Sequence, residues 1–149
     1  MRHLLAGILM LALSTVSAVA SESDGLILHR SIQNFPEAML ALQTSIGEHG
    51  YTVSRVQRVD IGLTKSGYKT DKYRIVFFGK SSEIRAVKQS QPQLIPYLPL
   101  KVVIFSENNE TLLVASNMTQ FSALADNENT KDLLQRWNND IQSIFSEVK

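Results

Sequence analysis

Apolar residues recur along this chain at two different periods, and the switches between them mark out the elements. Residues 73–78, 100–105 and 111–115 are dense in Val, Ile, Leu and Phe and bounded by Gly, Pro or Asn, which is the signature of β-strands. The first of these runs is apolar on both faces over most of its length, which predicts a central strand covered on both sides or buried between subunits. Glu107-Asn108-Asn109-Glu110 is a cluster of turn formers, so the other two runs are expected to pair as an antiparallel hairpin. Shorter strands are predicted at residues 25–29 and 51–59.

The helical period is clearest in two places. Phe35, Met39, Leu42 and Ile46 form one stripe, with Asn34 placed to cap the helix, Pro36 and Glu37 in its first turn and Gly50 as the left-handed stop. Leu134, Trp137, Ile141, Ile144 or Phe145, and Val148 form another, with Thr130 as the expected cap and Lys131, Gln135, Asn138, Asn139 and Gln142 on the polar face. A short helix is expected from Ser81 or Ser82 to Gln89, with Ile84 and Val87 facing inward. Residues 60–72 read as a polar loop containing Gly62 and Gly67. Pro92, Pro96 and Pro99 predict a stiff extended crossing, and residues 117–128 an irregular stretch that covers surface with Met118, Phe121, Leu124 and Ala125. The sum is an α+β protein: a two-layer α/β sandwich whose mixed or antiparallel sheet has about five strands, with helices packed on it.

The N-terminus changes this picture. Arg2, the apolar run from Leu4 to Val16 and the small residues Ala18-Val19-Ala20 read as a signal peptide cut after Ala20, and the apolar run is shorter than the ~20 residues of a membrane span. The expectation is a periplasmic protein with a single domain over residues 21–149 and no stable membrane span after cleavage. Arg2 is the leader's sole Arg, Lys, Asp or Glu, so its removal takes the 15 basic residues to 14, matching the 14 acidic ones. A balanced chain offers no electrostatic footprint for nucleic acid. There is no Cys, which excludes disulfides, thiolate nucleophiles and Cys-based metal sites. Two glycosylation sequons, at Asn109 and Asn117, are discounted because such triplets arise by chance and the leader looks bacterial.

The ordered set of a first strand, a Phe-containing helix ending in Gly, Val59-Asp60, Tyr73-Arg74-Ile75-Val76, Leu98-Pro99-Leu100-Lys101-Val102, the hairpin and a Met-bearing segment before the last helix resembles the domain-of-unknown-function 302 family from Gly25 to the end. The resemblance implies a small two-layer α/β domain, exported in many members and often homodimeric. The chain also departs from it. One branch has His after the residue matching Asp60, where this chain has Ile61. Another has Cys at the positions of Gly79 and Leu100, the first followed by Asn-Pro where this chain has Lys80-Ser81. No metal, redox or thiol role carries over.

Candidate chemistry is sparse. His29 and His49, the two histidines left after cleavage, sit at a strand end and a helix end, so no metal site is expected. No Ser lies in a nucleophile elbow and no catalytic residue is assigned. Asp60 either anchors a ligand or caps its turn. Lys101 and Arg74 either line a pocket with Tyr97 or point outward from alternating strands. The resulting expectation is an exported, homodimeric, non-catalytic binding or assembly module without a cofactor. Its alternative is a small-ligand or cofactor-binding protein or enzyme with a pocket near Asp60, Tyr97 and Lys101, and a third reading is an accessory subunit for a redox or transport complex, with a periplasmic protein as partner.

Overall fold

A computed structural model describes residues 25–149, so the expected cleavage after Ala20 lies outside the described residues. The elements are β1 (Leu26–Ser31), α1 (Phe35–Glu48), β2 (Thr52–Arg58), α2 (Val59–Lys65), β3 (Tyr73–Gly79), α3 (Ser81–Ser90), β4 (Leu100–Glu107), β5 (Glu110–Ser116) and α4 (Glu128–Ser146), with 3-10 segments at Pro92–Tyr97 and Met118–Leu124. The five strands form one sheet in the order β1-β5-β4-β3-β2, and every pairing is antiparallel. The connection through α1 carries the chain from one edge of the sheet to the other, and the three remaining strands fill in toward β1.

Alternation along the strands divides the sheet into two faces. Val76 and Phe78 of β3, Leu100, Val102 and Ile104 of β4, and Leu113 and Ala115 of β5 are buried beneath α1 and α4, which contribute Leu42 and Ile46 and then Leu134, Trp137, Ile141, Ile144 and Phe145. The register Val76↔Val102↔Ala115 holds these side chains in one layer. On the reverse face Ile75, Phe77, Val103, Phe105, Leu112 and Val114 keep part of their surface in solvent. β4, not β3, is the central strand, and β3 is covered by helices on one side alone.

Local chemistry explains the boundaries. Asn34 Oδ1 accepts from the Glu37 N–H at 3.2 Å, and α1 ends in a Schellman motif in which Gly50, at φ 75°, and Tyr51 donate to the carbonyls of Gly47 and Ile46. The hairpin turn uses Asn108 and Asn109 at φ 48° and 66°, the left-handed pair that a two-residue turn of matching twist requires. Several expectations are corrected. Residues 60–65 are helical rather than loop, with Val59 opening the helix rather than ending β2, and α2 closes with a second Schellman motif at Gly67, φ 87°, which donates to Thr64 while Tyr68 donates to Leu63. The prolines at 92 and 96 sit in a 3-10 segment, since their fixed φ suits that helix as well as an extended chain. Lys80 occupies the cap position of α3 without a capping side-chain bond. Asn127, not Thr130, caps α4, its Oδ1 accepting from the Thr130 N–H at 2.9 Å and hydroxyl at 3.0 Å. Asn138 is buried rather than on the polar face, because its Oδ1 accepts from the Met118 N–H at 3.2 Å.

Gly79 ends β3 against α3, and a Cβ there would run into Ile84 Cδ1. Gly79→Ala is therefore expected to destabilise the protein by about 1–3 kcal/mol in urea unfolding. Ile84→Val removes the offending atom, so the double variant should be less destabilised than the two single effects added together. Strictly additive losses would show that the close packing at Gly79 does not matter.

Candidate functional site

Asp60 lies in the first turn of α2, and its carboxylate accepts from the Arg74 guanidinium, both side chains being largely buried. That hydrogen bond holds the Asp60 carboxyl below the ordinary carboxylate range. Arg74 stands on β3 on the side of the sheet that faces the helices, with its guanidinium 5.6 Å from the centre of the Phe35 ring. The cluster thus ties α2, β3 and the start of α1 together, and Asp60 spends its charge inside the protein.

Tyr97 and Lys101 meet elsewhere. They line a narrow crevice at the end of the sandwich with Leu100, Ser116, Met118, Phe121 and Ile141. The two 3-10 segments form one wall, where the Tyr97 and Phe121 rings stack with centroids 4.0 Å apart and planes inclined by 28°. Leu100, Met118 and Ile141 make a buried apolar floor. Lys101 is exposed on the outer face and sits opposite Ser116, one step from the Val102↔Ala115 pair. Asp60 is not part of this crevice: its partner Arg74 pairs with Ile104, three residues further along β4 than Lys101 and on the other face.

The histidines are apart and engaged. His29 Nε2 lies 2.5 Å from the Val148 carbonyl, while His49 Nδ1 lies 2.9 Å from the Ser45 carbonyl and its Nε2 3.7 Å from Glu147. Among the described residues no group of three or more His, Asp or Glu is placed to hold a metal ion. None of the described helices is long and apolar enough to cross a membrane.

Sequence reasoning missed a polar network at the junction of β2, α3 and α4. The Tyr51 hydroxyl donates to Asp140 at 2.5 Å, Arg136 bridges Asp140 at 3.4 Å and Glu83 at 2.8 Å, and Trp137 Nε1 donates to Glu83 at 2.8 Å. Lys80 Nζ caps the Tyr51 ring at 4.4 Å from its centre. Burial, then the bond to Asp140, raises the Tyr51 phenol well above its ordinary pKa, so it stays protonated as a structural donor. The sole advance signal was Glu83 on a helix otherwise expected to be held by apolar contacts.

A five-stranded antiparallel sheet with helices on one face defines a small two-layer α+β domain, and the reverse of that sheet carries a partly exposed apolar centre. The chain belongs to the family described as domain of unknown function DUF302, whose family model matches residues 28–148. A crystal structure of an uncharacterised conserved DUF302 protein from Bacillus stearothermophilus is similar in fold, with a TM-score of 0.75 and 16% identity over 83% of this chain and 98% of that one. No curated protein matches the chain.

The Asp60–Arg74 pair makes stability depend on pH with a definite sign. A lowered folded pKa gives stability that is present above the unfolded carboxylate pKa and is lost as the pH falls through the folded one. Asp60→Asn is expected to cost about 1–3 kcal/mol at neutral pH, read as a lower melting temperature, and the gap from wild type should close in acid. A gap that stays constant down to full carboxylate protonation would remove the charge from this account.

Proposed function

We propose that this chain is an exported, non-catalytic binding or assembly module that works as a homodimer, with the open faces of two sheets packed together. The observation that carries this reading is the apolar reverse of the sheet. Ile75, Phe77, Val103, Phe105, Leu112 and Val114 are joined at the β1 edge by Leu26 and Leu28, which are 44% and 46% exposed. Tyr73 and Phe105 form a cross-strand aromatic pair on the same face, with centroids 6.3 Å apart. Strands about 4.8 Å apart and six residues long give a footprint of roughly 24 by 20 Å, about 480 Å² in projection. That whole face, whose β2 edge carries the outward Arg55 and Gln57 and whose apolar part is therefore smaller, is more than half of the ~800 Å² per partner of a standard interface.

A second copy suits this face in charge as well as in area. Lys101 and Arg55 mark one end of it, while Glu107 and Glu110 at the other end are held by Arg30 at 2.8 and 3.0 Å. A two-fold axis running across the strands would lay the cationic end of each copy toward the acidic end of its partner, the self-complementary pattern of an isologous dimer. The apparent leader in residues 1–20 supports export. A second reading, small-ligand binding, is favoured by the crevice that brings Tyr97 and Lys101 together.

Sedimentation of residues 21–149 from micromolar to millimolar concentration is expected to show a dimer. Val103→Asp, at the centre of the face, should give a folded monomer, because pairing would bury an unmatched carboxylate at a cost of several kcal/mol. A wild-type chain that stays monomeric throughout, or a Val103→Asp variant that dimerises unchanged, would overturn the pairing.

A further inference from the structure

We infer that the lobe formed by the end of α2 and the loop after it docks on an anionic membrane surface, at the level of the headgroups. The balance of charge over the whole chain conceals a separation. Residues 51–101, which supply β2, α2, β3 and α3, hold ten Lys or Arg and three Asp or Glu, whereas residues 25–50 and 102–149 together hold four and nine. In the strand order β1-β5-β4-β3-β2 the excess of cations therefore falls on the β2 side of the sandwich.

The lobe concentrates that excess. Residues 64–72 are exposed without a break and carry Lys65, Lys69 and Lys72, and Arg58 is exposed at the end of β2 just before them. None of these four cations pairs with a carboxylate among the described residues. Of the two acids in the stretch, Asp60 is matched by Arg74, which leaves Asp71 against four positive charges. Tyr68 lies among the lysines and is 66% exposed, its backbone fixed by the bond its N–H donates to the Leu63 carbonyl at 3.0 Å. A ring with an apolar body and a hydroxyl tip, flanked by long ammonium side chains, suits the boundary between headgroups and acyl chains, and the ammoniums suit lipid phosphates. Proteins that hold single-stranded nucleic acid stack successive bases on several rings, and residues 58–72 present one. Helix α2 leaves β2 on the helix side of the sheet, where Asp60 reaches Arg74, so pairing of the reverse faces leaves the lobe uncovered.

The test is co-sedimentation of residues 21–149, which contain the whole described fold, with vesicles of phosphatidylcholine alone and of equal parts phosphatidylcholine and phosphatidylglycerol. Binding to the anionic vesicles alone, lost in high salt, is expected. Replacing all three lysines of the lobe (Lys65→Gln, Lys69→Gln, Lys72→Gln) should weaken it about a hundredfold with the circular dichroism unchanged, while Lys131→Gln on α4 leaves it intact. Tyr68→Trp should bind like the wild type and shift its emission to the blue on the vesicles, above the constant signal of the buried Trp137. No binding, equal binding to both kinds of vesicle, equal weakening by Lys131→Gln or an unshifted Tyr68→Trp emission would overturn the inference. So would tighter binding to a single-stranded oligonucleotide than to the anionic vesicles.

Discussion

The structure depends on one constraint: a five-stranded sheet is given a single layer of helices. Every strand must therefore divide its residues between a dry face and a face that α1 and α4 do not reach. Val102 and Ile104 fall beneath the helices, while Val103 and Phe105, one residue away in each case, fall outside them. The last helix has to be strongly one-sided to match, and it is. Its apolar residues lie on the sheet, and the carbonyls that follow it are taken by β1, with His29 bonding to Val148 and Ser31 to Lys149. The C-terminus thereby closes the sandwich over the first strand, so the two ends of the described chain support each other.

Polar side chains act as fasteners at the corners of this sandwich. Asp60 and Arg74 secure α2 at one end of β3. Tyr51, Asp140, Arg136, Glu83 and Trp137 secure α3 and α4 at the other. In both clusters the charged groups are hydrogen-bonded, which is what partly buried charges need in order not to destabilise the fold. Two features remain outside this internal economy: the apolar reverse of the sheet and the Lys101 ammonium at its end.

Much of the architecture was legible in the sequence because its strongest signals are local. The strand runs, the amphipathic stripes of α1 and α4 and the double-Asn turn each announce themselves within a dozen residues. Helix α2 was misread since Gly62 and Gly67 suggested a loop. Gly67 is in fact the stop signal of a short helix, and the apolar pair Val59 and Leu63 at helical spacing was the clue. The prolines were read as extended because their φ fits two conformations, and the surrounding packing, which buries Leu94, chose the 3-10 form. The candidate site was legible only in part. Tyr97 and Lys101 are four residues apart and do meet, whereas the partner of Asp60 depends on how α2 folds back on β3, and Asn138 became a core residue through a bond to a segment 20 residues away. No local pattern encodes such pairings.

The central claim, that two open sheet faces pack on each other, is tested most directly by isotope-filtered NMR on a mixture of labelled and unlabelled chains. Intermolecular contacts between methyl groups of Val103, Val114 and Leu28 in one copy and the same residues or Phe105 in the other are the predicted result. Intermolecular contacts confined to the exposed side of α1, around Leu40, or a concentrated sample with none at all, would contradict it.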